Sequence, residues 1–324
     1  MNPPMNPRST QQGRFFAWFN LSQIGLFFLL CGLVLGLWGC TPSAPTIRVG
    51  SKDFTEQLII GEMYALLLEE AGFKVDRRLN LGGTPIAHQA LLHKEIDLYP
   101  EYTGTGLLTV LKQPLDPLRG KSSQATRQQV YDAVARAYET QFDLVWLDPA
   151  PLNNTQALAM LATQAKSLGI RTIADLRPQA AKLRLIGPPE FAVREDGLPG
   201  LETAYGKFNW KDYKAVDPGL RYQGVMSGGA DVAVAFSTDG EIKAFGLVLL
   251  EDDRQFFPPY QVAPVIRRSV LEKYPKLADI LNRLSPELTD AVMQELNYEV
   301  NGKYQEPFTV AKIFLQSKSL IPSP

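Results

Sequence analysis

After residue 40 this 324-residue chain contains no cysteine; the two it has are Cys31 and Cys40. That excludes an internal disulfide and a thiolate metal site from the body of the protein. Histidine is nearly as scarce. Only His88 and His93 occur, five residues apart, so neither a His-based metal site nor any other metal or cofactor is expected. Two histidines within one helix and no cysteine also leave little from which to build an acid–base or nucleophile constellation, so an enzyme is not expected. Positive charge is not in excess, with 33 basic residues against 34 acidic ones, and no nucleic-acid footprint is present. Disorder is excluded by a composition that is 45 % hydrophobic and 21 % charged, which suits one large or two ordinary domains.

What is present begins with a separate leader. Arg8 and Arg14 precede "FNLSQIGLFFLLCGLVLGLWGC" (19–40), an uncharged apolar run ending in glycine and cysteine. A positive start, apolar middle and Gly-Cys end read as an export signal. Residues 21–38 are also long enough to span a bilayer, so an uncleaved anchor is the alternative. "LWGC" resembles a bacterial lipobox, in which Cys40 is lipidated, although Trp38 is bulkier than the residue usual there. Either reading tethers the body outside the cytoplasm. Removing Arg8 and Arg14 leaves 31 basic against 34 acidic residues, a balance of about −3, soluble and not membrane-seeking.

"TPSAPT" (41–46) is a linker. Then "TIRVGS" predicts a strand, and "DFTEQLIIGEMYALLLEEAGF" a helix with Asp53 and Glu56 at capping-box spacing and Gly72 as its stop. "FKVDRRLNL" predicts a second strand, "GGTPIAHQALLHKE" a Gly-led helix, and "IDLY" a third strand that breaks at Pro100. This alternation calls for a parallel sheet covered by helices, with ligands gathering beyond the carboxyl ends of the strands. Those ends are Gly50-Ser51, 81–84 and "YPEYTGT" (99–105). A second alternating α/β region follows from about residue 155, and a helical tail from about 269.

Two segments match: "ALLHKEIDLYPEYTGT" (90–105) and "GVMSGGADVAVAFSTD" (224–239). Asp97 lies five before Tyr102, and Asp231 five before Phe236, each aromatic followed by hydroxyls. Two similar lobes would each present an aromatic from a strand end, and facing edges would make a cleft.

Taken in order, "GSKDFTEQLIIGEMYALLLEEAGF", "LNLGGTPIAHQALLHKEIDLYPEYTGT", "LNNTQALAM", "AFSTDGEI" and "EDDRQFFPPYQVAPVIR" resemble one family. It is the osmoprotectant substrate-binding proteins of ABC importers for glycine betaine, choline, carnitine and related compatible solutes, and the likeness spans about 47–318. The resemblance implies an α/β type II periplasmic-binding fold, two lobes joined by two crossover strands with a ligand cleft between. The crossovers would be "LVWLDPAPLNN" and the "LLEDDRQFFPPY" region. The first lobe would then be 47–148 plus 256–324, and the second 149–255. It also implies a monomer that captures a quaternary-ammonium solute and delivers it to an ABC permease with its ATPase.

A trimethylammonium donates no hydrogen bond and is held by aromatic ring faces, each worth about 0.5–2 kcal/mol. By resemblance the cage positions are Tyr102, Phe236 and Tyr260. Relatives often carry a further cage tyrosine where this chain has Gln156, which can instead donate and accept hydrogen bonds. Tyr222 is a nearby ring that could substitute. For the ligand's other end, the backbone at the start of the first helix is a candidate, and by resemblance so are Gln57, Thr105 and Asn154. Asn153 and Asn154 also suit a turn after Pro151. Gly82-Gly83-Thr84 lacks the Walker lysine spacing and reads as a tight start to a helix near the pocket. Lys52 beside Ser51 has no sequence partner that would make a nucleophile. Asp239 is either a helix cap at Gly240 or a carboxylate favouring a choline-like cation. Gln156 keeps open the same fold with another amine or an amino acid as ligand, and a tethered sensory protein is a further alternative.

Overall fold

A computed structural model describes residues 45–118 and 123–323. Cys40, the apolar run and most of the linker lie outside the described residues. Among those described, no helix is long and apolar enough to cross a membrane. Pro45–Pro324 forms a compact unit of its own.

Two five-stranded sheets organise it. The first contains β1 (Thr46–Gly50), β2 (Lys74–Arg78), β3 (Leu98–Tyr102), β4 (Leu144–Trp146) and, much later in the chain, β10 (Val262–Arg267), in the order β2-β1-β3-β10-β4. The second contains β5 (Gln156–Leu161), β6 (Arg184–Gly187), β7 (Asp212–Ala215), β8 (Val232–Phe236) and β9 (Leu247–Leu249), in the order β7-β6-β8-β5-β9. In each sheet one strand runs against both of its neighbours: β10 in the first and β5 in the second. The chain therefore crosses to the second sheet after β4 and returns for β10. Its two crossings run side by side, with Ala150 N donating to Val262 O (2.8 Å) and Asn154 N to Tyr260 O (3.1 Å).

The helices and strands follow the sequence signals, with two departures. Helix α1 (Thr55–Glu70) is apolar around much of its circumference, as a helix buried on several sides must be. Ile59, Ile60, Met63, Leu67 and Leu68 pack with Met293 of α2 (Asp290–Asn301) and Leu315 of α3 (Pro307–Ser317). It stops before Gly72, whose φ of 87° is the left-handed conformation a helix end needs. The expected capping box is not formed. The residue before the helix is Phe54, with no side-chain cap, and Glu56 turns inward because stronger donors wait there. The third strand does not break at Pro100 but runs on to Tyr102. Pro100 sits opposite Pro264 in the antiparallel β3–β10 pair, a register position where neither residue has an N–H to offer the ladder. The first strand begins at Thr46, where "TIRVGS" predicts it.

The matched segments occupy equivalent places in the two sheets. Val49 of β1 pairs with Leu98 of β3, and Leu185 of β6 pairs with Val232 of β8. One residue before each pair, an aspartate clamps an arginine. Asp97 Oδ2 accepts the Arg48 backbone N–H at 2.8 Å while Oδ1 accepts its guanidinium at 2.7 Å. Asp231 repeats this with Arg184, at 2.8 and 3.0 Å. Tyr102 and Phe236 consequently end corresponding strands.

Candidate functional site

Phe54 stands between the two strand ends. Its ring stacks on Tyr102 at 6.1 Å between centroids and 26°, and on Phe236 at 5.9 Å and 11°. All three rings, with Tyr260 from the returning crossover, line one cavity of about 40 Å³. That space suits a few waters, well short of a typical ligand pocket, so the lobes are drawn together around it. Thr105, Asn154 and Gln156 line it as well, as do Lys52, Thr84, Glu190 and Arg194. Gly83 brings the helix start at Thr84 against the second lobe; a Cβ there would lie 2.6 Å from Glu190 Oε2.

The two tyrosine rings are fixed from behind. The Tyr102 hydroxyl donates to Glu56 Oε1 at 2.7 Å, and the same buried carboxylate accepts Asn154 Nδ2 (2.7 Å) and Asn297 Nδ2 (3.1 Å). Burial raises the Glu56 pKa and these donors oppose the rise. The Tyr260 hydroxyl donates to Asp196 Oδ2 at 2.8 Å, and Gln156 Nε2 reaches both Asp196 Oδ2 (2.8 Å) and Tyr260 Oη (3.1 Å). Arg194 closes this network with two bonds to Asp196. Burial alone would lift the Asp196 pKa, but the Arg194 charge and hydrogen bonds outweigh it and leave it lowered.

Lys52 is buried beside the rings. Its Nζ lies 2.5 Å from Glu101 Oε1 and 5.2 Å from the centre of the Tyr102 ring. Glu101 also accepts the Tyr99 hydroxyl at 2.9 Å and the Tyr102 N–H at 2.6 Å. The cavity thus joins π faces suited to a cation with an ammonium and a guanidinium suited to an anion. The Thr84 hydroxyl, buried without a protein partner, adds an uncommitted polar group.

Of the residues named from sequence, Tyr102, Phe236, Tyr260, Thr105, Asn154 and Gln156 line this cavity and Gln57 does not. Gln57 instead donates to Pro100 O at 2.8 Å and accepts the Lys52 N–H at 3.1 Å, holding the segment that carries Lys52. Asn153 ties the crossovers through the Tyr260 N–H, 2.7 Å from its Oδ1. Asp239 neither caps the following helix nor faces the cavity. Its carboxylate takes the Phe236 N–H at 2.7 Å, the Arg221 guanidinium at 2.5 Å and the Tyr222 hydroxyl. Tyr222, committed to that contact, supplies no substitute ring. Phe54, Lys52 and Arg194 were not singled out as site residues in the sequence; the only signal for Phe54 was its place just before a helix at a strand end. A roomier open groove of about 880 Å³ lies between residues 239–247 and α2, but among the described residues Tyr298 is its only aromatic lining.

Comparison with known proteins agrees with this architecture. The family model OpuAC, the substrate-binding domain of ABC-type glycine betaine transport systems, matches residues 45–317. The chain is 34 % identical over 316 residues to an ergothioneine transport permease/ergothioneine binding protein of Helicobacter pylori, covering 96 % of this chain but only 54 % of that protein. It therefore spans about half the length of that relative. It is 35 % identical over 305 residues to a glycine-betaine-binding protein of Pseudomonas aeruginosa, covering 90 % of this chain and 94 % of the other. A crystal structure described as a glycine betaine/carnitine/choline ABC transporter superposes with a TM-score of 0.66 at 30 % identity, over 85 % of this chain and 99 % of that one. The fold is the two-lobed type II periplasmic-binding arrangement, and the chain belongs to the family of substrate-binding domains of ABC-type glycine betaine transport systems.

Proposed function

We propose that this protein captures a quaternary-ammonium solute, glycine betaine or a close relative, outside the cytoplasm and delivers it to an ABC permease. The observation that carries the reading is the convergence of Phe54, Tyr102, Phe236 and Tyr260 on one cavity that Lys52 and Arg194 also line. Ring faces attract a cation that cannot donate hydrogen bonds, each by about 0.5–2 kcal/mol. A carboxylate on the same solute would meet Lys52, Arg194, and the Thr84 and Thr105 hydroxyls. We assign 47–148 with 256–324 to one lobe and 149–255 to the other, with lipidation at Cys40 tethering a monomer to the membrane. No step of chemistry is assigned to any residue; the protein's work is binding and release.

Gln156 supports a second reading, in which the solute is a larger betaine or another amine. Its amide already bridges Asp196 and Tyr260, and it stands in the wall of the cavity without contributing a ring.

Calorimetric titration of residues 41–324 separates these readings, using glycine betaine, choline, carnitine, proline betaine, ergothioneine and a panel of amino acids. Micromolar binding of a quaternary amine is the expected result. Heat only from solutes lacking that group would overturn the cage assignment.

A further inference from the structure

A second cavity of about 110 Å³ is lined by Phe54 and Phe236 but not by Lys52. It shares Asp53, Phe54, Asn154, Pro218 and Phe236 with the first, so the two spaces meet at these residues. Four side-chain oxygens in its lining have no hydrogen-bond partner, Glu241 Oε2, Asn297 Oδ1, Asn154 Oδ1 and Thr238 Oγ1, nor does one nitrogen, Arg221 Nε. All five belong to residues more than nine-tenths buried, at 6 %, 2 %, 4 %, 1 % and 5 % exposure. Buried polar atoms without partners are costly, and the carboxylate and two amide oxygens among them, around one small space, point to a common occupant. Five carboxylates line the space (Asp53, Glu56, Asp217, Asp239 and Glu241) against one guanidinium, Arg221, whose partner is Asp239.

We propose that this compartment binds a monovalent inorganic cation, Na⁺ or K⁺, held by Glu241 and the amide oxygens of Asn297 and Asn154. Oxygen-only ligands select a hard cation. Divalent ions call for several converging carboxylates, and among the described residues no group of three or more His, Cys, Asp or Glu is arranged to hold a metal. A monovalent ion is satisfied by neutral carbonyl-type oxygens, as in potassium filters. The ligand set is assembled across the cleft: Asn297 comes from α2 beside the first sheet, Glu241 follows β8 of the second, and Asn154 lies in a crossover. Ion binding therefore favours the closed arrangement, and by reciprocity solute binding favours the ion. This last coupling rests on the solute-binding reading; the ion site itself does not.

The decisive measurement uses crystals of residues 45–324 grown in rubidium chloride, with data collected at the rubidium edge. An anomalous peak between Glu241 and Asn297 is expected, and ordered water without such a peak would overturn the proposal. In solution, Na⁺ or K⁺ at 100 mM is expected to raise the melting temperature by roughly 2–4 °C over N-methylglucamine at equal ionic strength. Glu241→Gln keeps the shape and is expected to lose that increment. Equal melting in all three salts, or an increment that survives Glu241→Gln, counts against the site. The absence of glycine betaine heat in every salt would sink the solute reading while leaving these ion readouts decisive.

Discussion

Gln156 Nε2 lies 3.1 Å from the Tyr260 hydroxyl and 2.8 Å from Asp196 Oδ2, so one amide joins the edge of the second sheet to a ring on the returning crossover. Gln156 is paired in register with Phe236, beside a second ring. A tyrosine at 156 would add a π face there while its hydroxyl could still reach Asp196. Gln156→Tyr is expected to tighten glycine betaine binding about tenfold, the worth of one more ring. Calorimetry on both proteins checks this, and unchanged or weaker binding would mean the ring does not face the solute.

Tyr102 combines a ring and a hydroxyl whose roles can be separated. Tyr102→Phe keeps the π face but deprives the buried Glu56 carboxylate of a donor, a loss of about 1–2 kcal/mol of stability. Its affinity for a quaternary amine should stay within a few fold of the parent. Tyr102→Ala removes the ring and should weaken binding tenfold or more. Equal affinity for the alanine variant and the parent would show that Tyr102 is no cage wall.

The Lys52–Glu101 pair is almost fully buried, with the side chains at 4 % and 0 % exposure. Breaking one partner of such a pair leaves an uncompensated charge and costs about 3–5 kcal/mol. Lys52→Met should be strongly destabilised in urea, and Lys52→Met/Glu101→Gln should recover much of the loss. If a carboxylate-bearing solute is bound, the double variant should also lose glycine betaine affinity more than choline affinity. Equal losses for the two solutes would place their difference elsewhere.

Acid should loosen the second lobe through Asp231. Hydrogen bonds from Arg184 lower its pKa from 3.8 to about 2. A carboxyl depressed in the folded state adds stability that is present above pH 3.8 and disappears as pH falls towards 2. The melting-temperature difference between the parent and Asp231→Asn should therefore be constant near neutrality and shrink between about pH 4 and pH 2. A difference that does not change with pH would mean that the clamp acts through shape alone.

The equivalence of the lobes was legible because Asp97 and Asp231 each stand five residues before an aromatic, and that spacing carries the clamp with it. The crossing and return were not readable from periodicity, since a strand's pattern does not tell which sheet it joins; β10 looks like any other apolar run. Glu56 fitted a capping-box pattern three residues after Asp53, yet tertiary donors from Tyr102, Asn154 and Asn297 outbid the local one. Lys52 finds Glu101 forty-nine residues away, and Asp196 finds Tyr260 sixty-four residues away. No local spacing announces such pairs. Pro100 misled because proline usually ends a ladder, and only its pairing with another proline removes the penalty.

A cavity of about 40 Å³ walled by both lobes also sets a clock. Anything larger than a few waters can enter or leave only while the sheets stand apart, so exchange keeps time with domain motion, on the microsecond-to-millisecond scale. Capture should follow solute concentration while encounters are rare, then level off at the rate of chain closure. Residence is governed in the same way. A solute stays for as long as the two halves stay shut, and whatever prises them apart decides when it is surrendered.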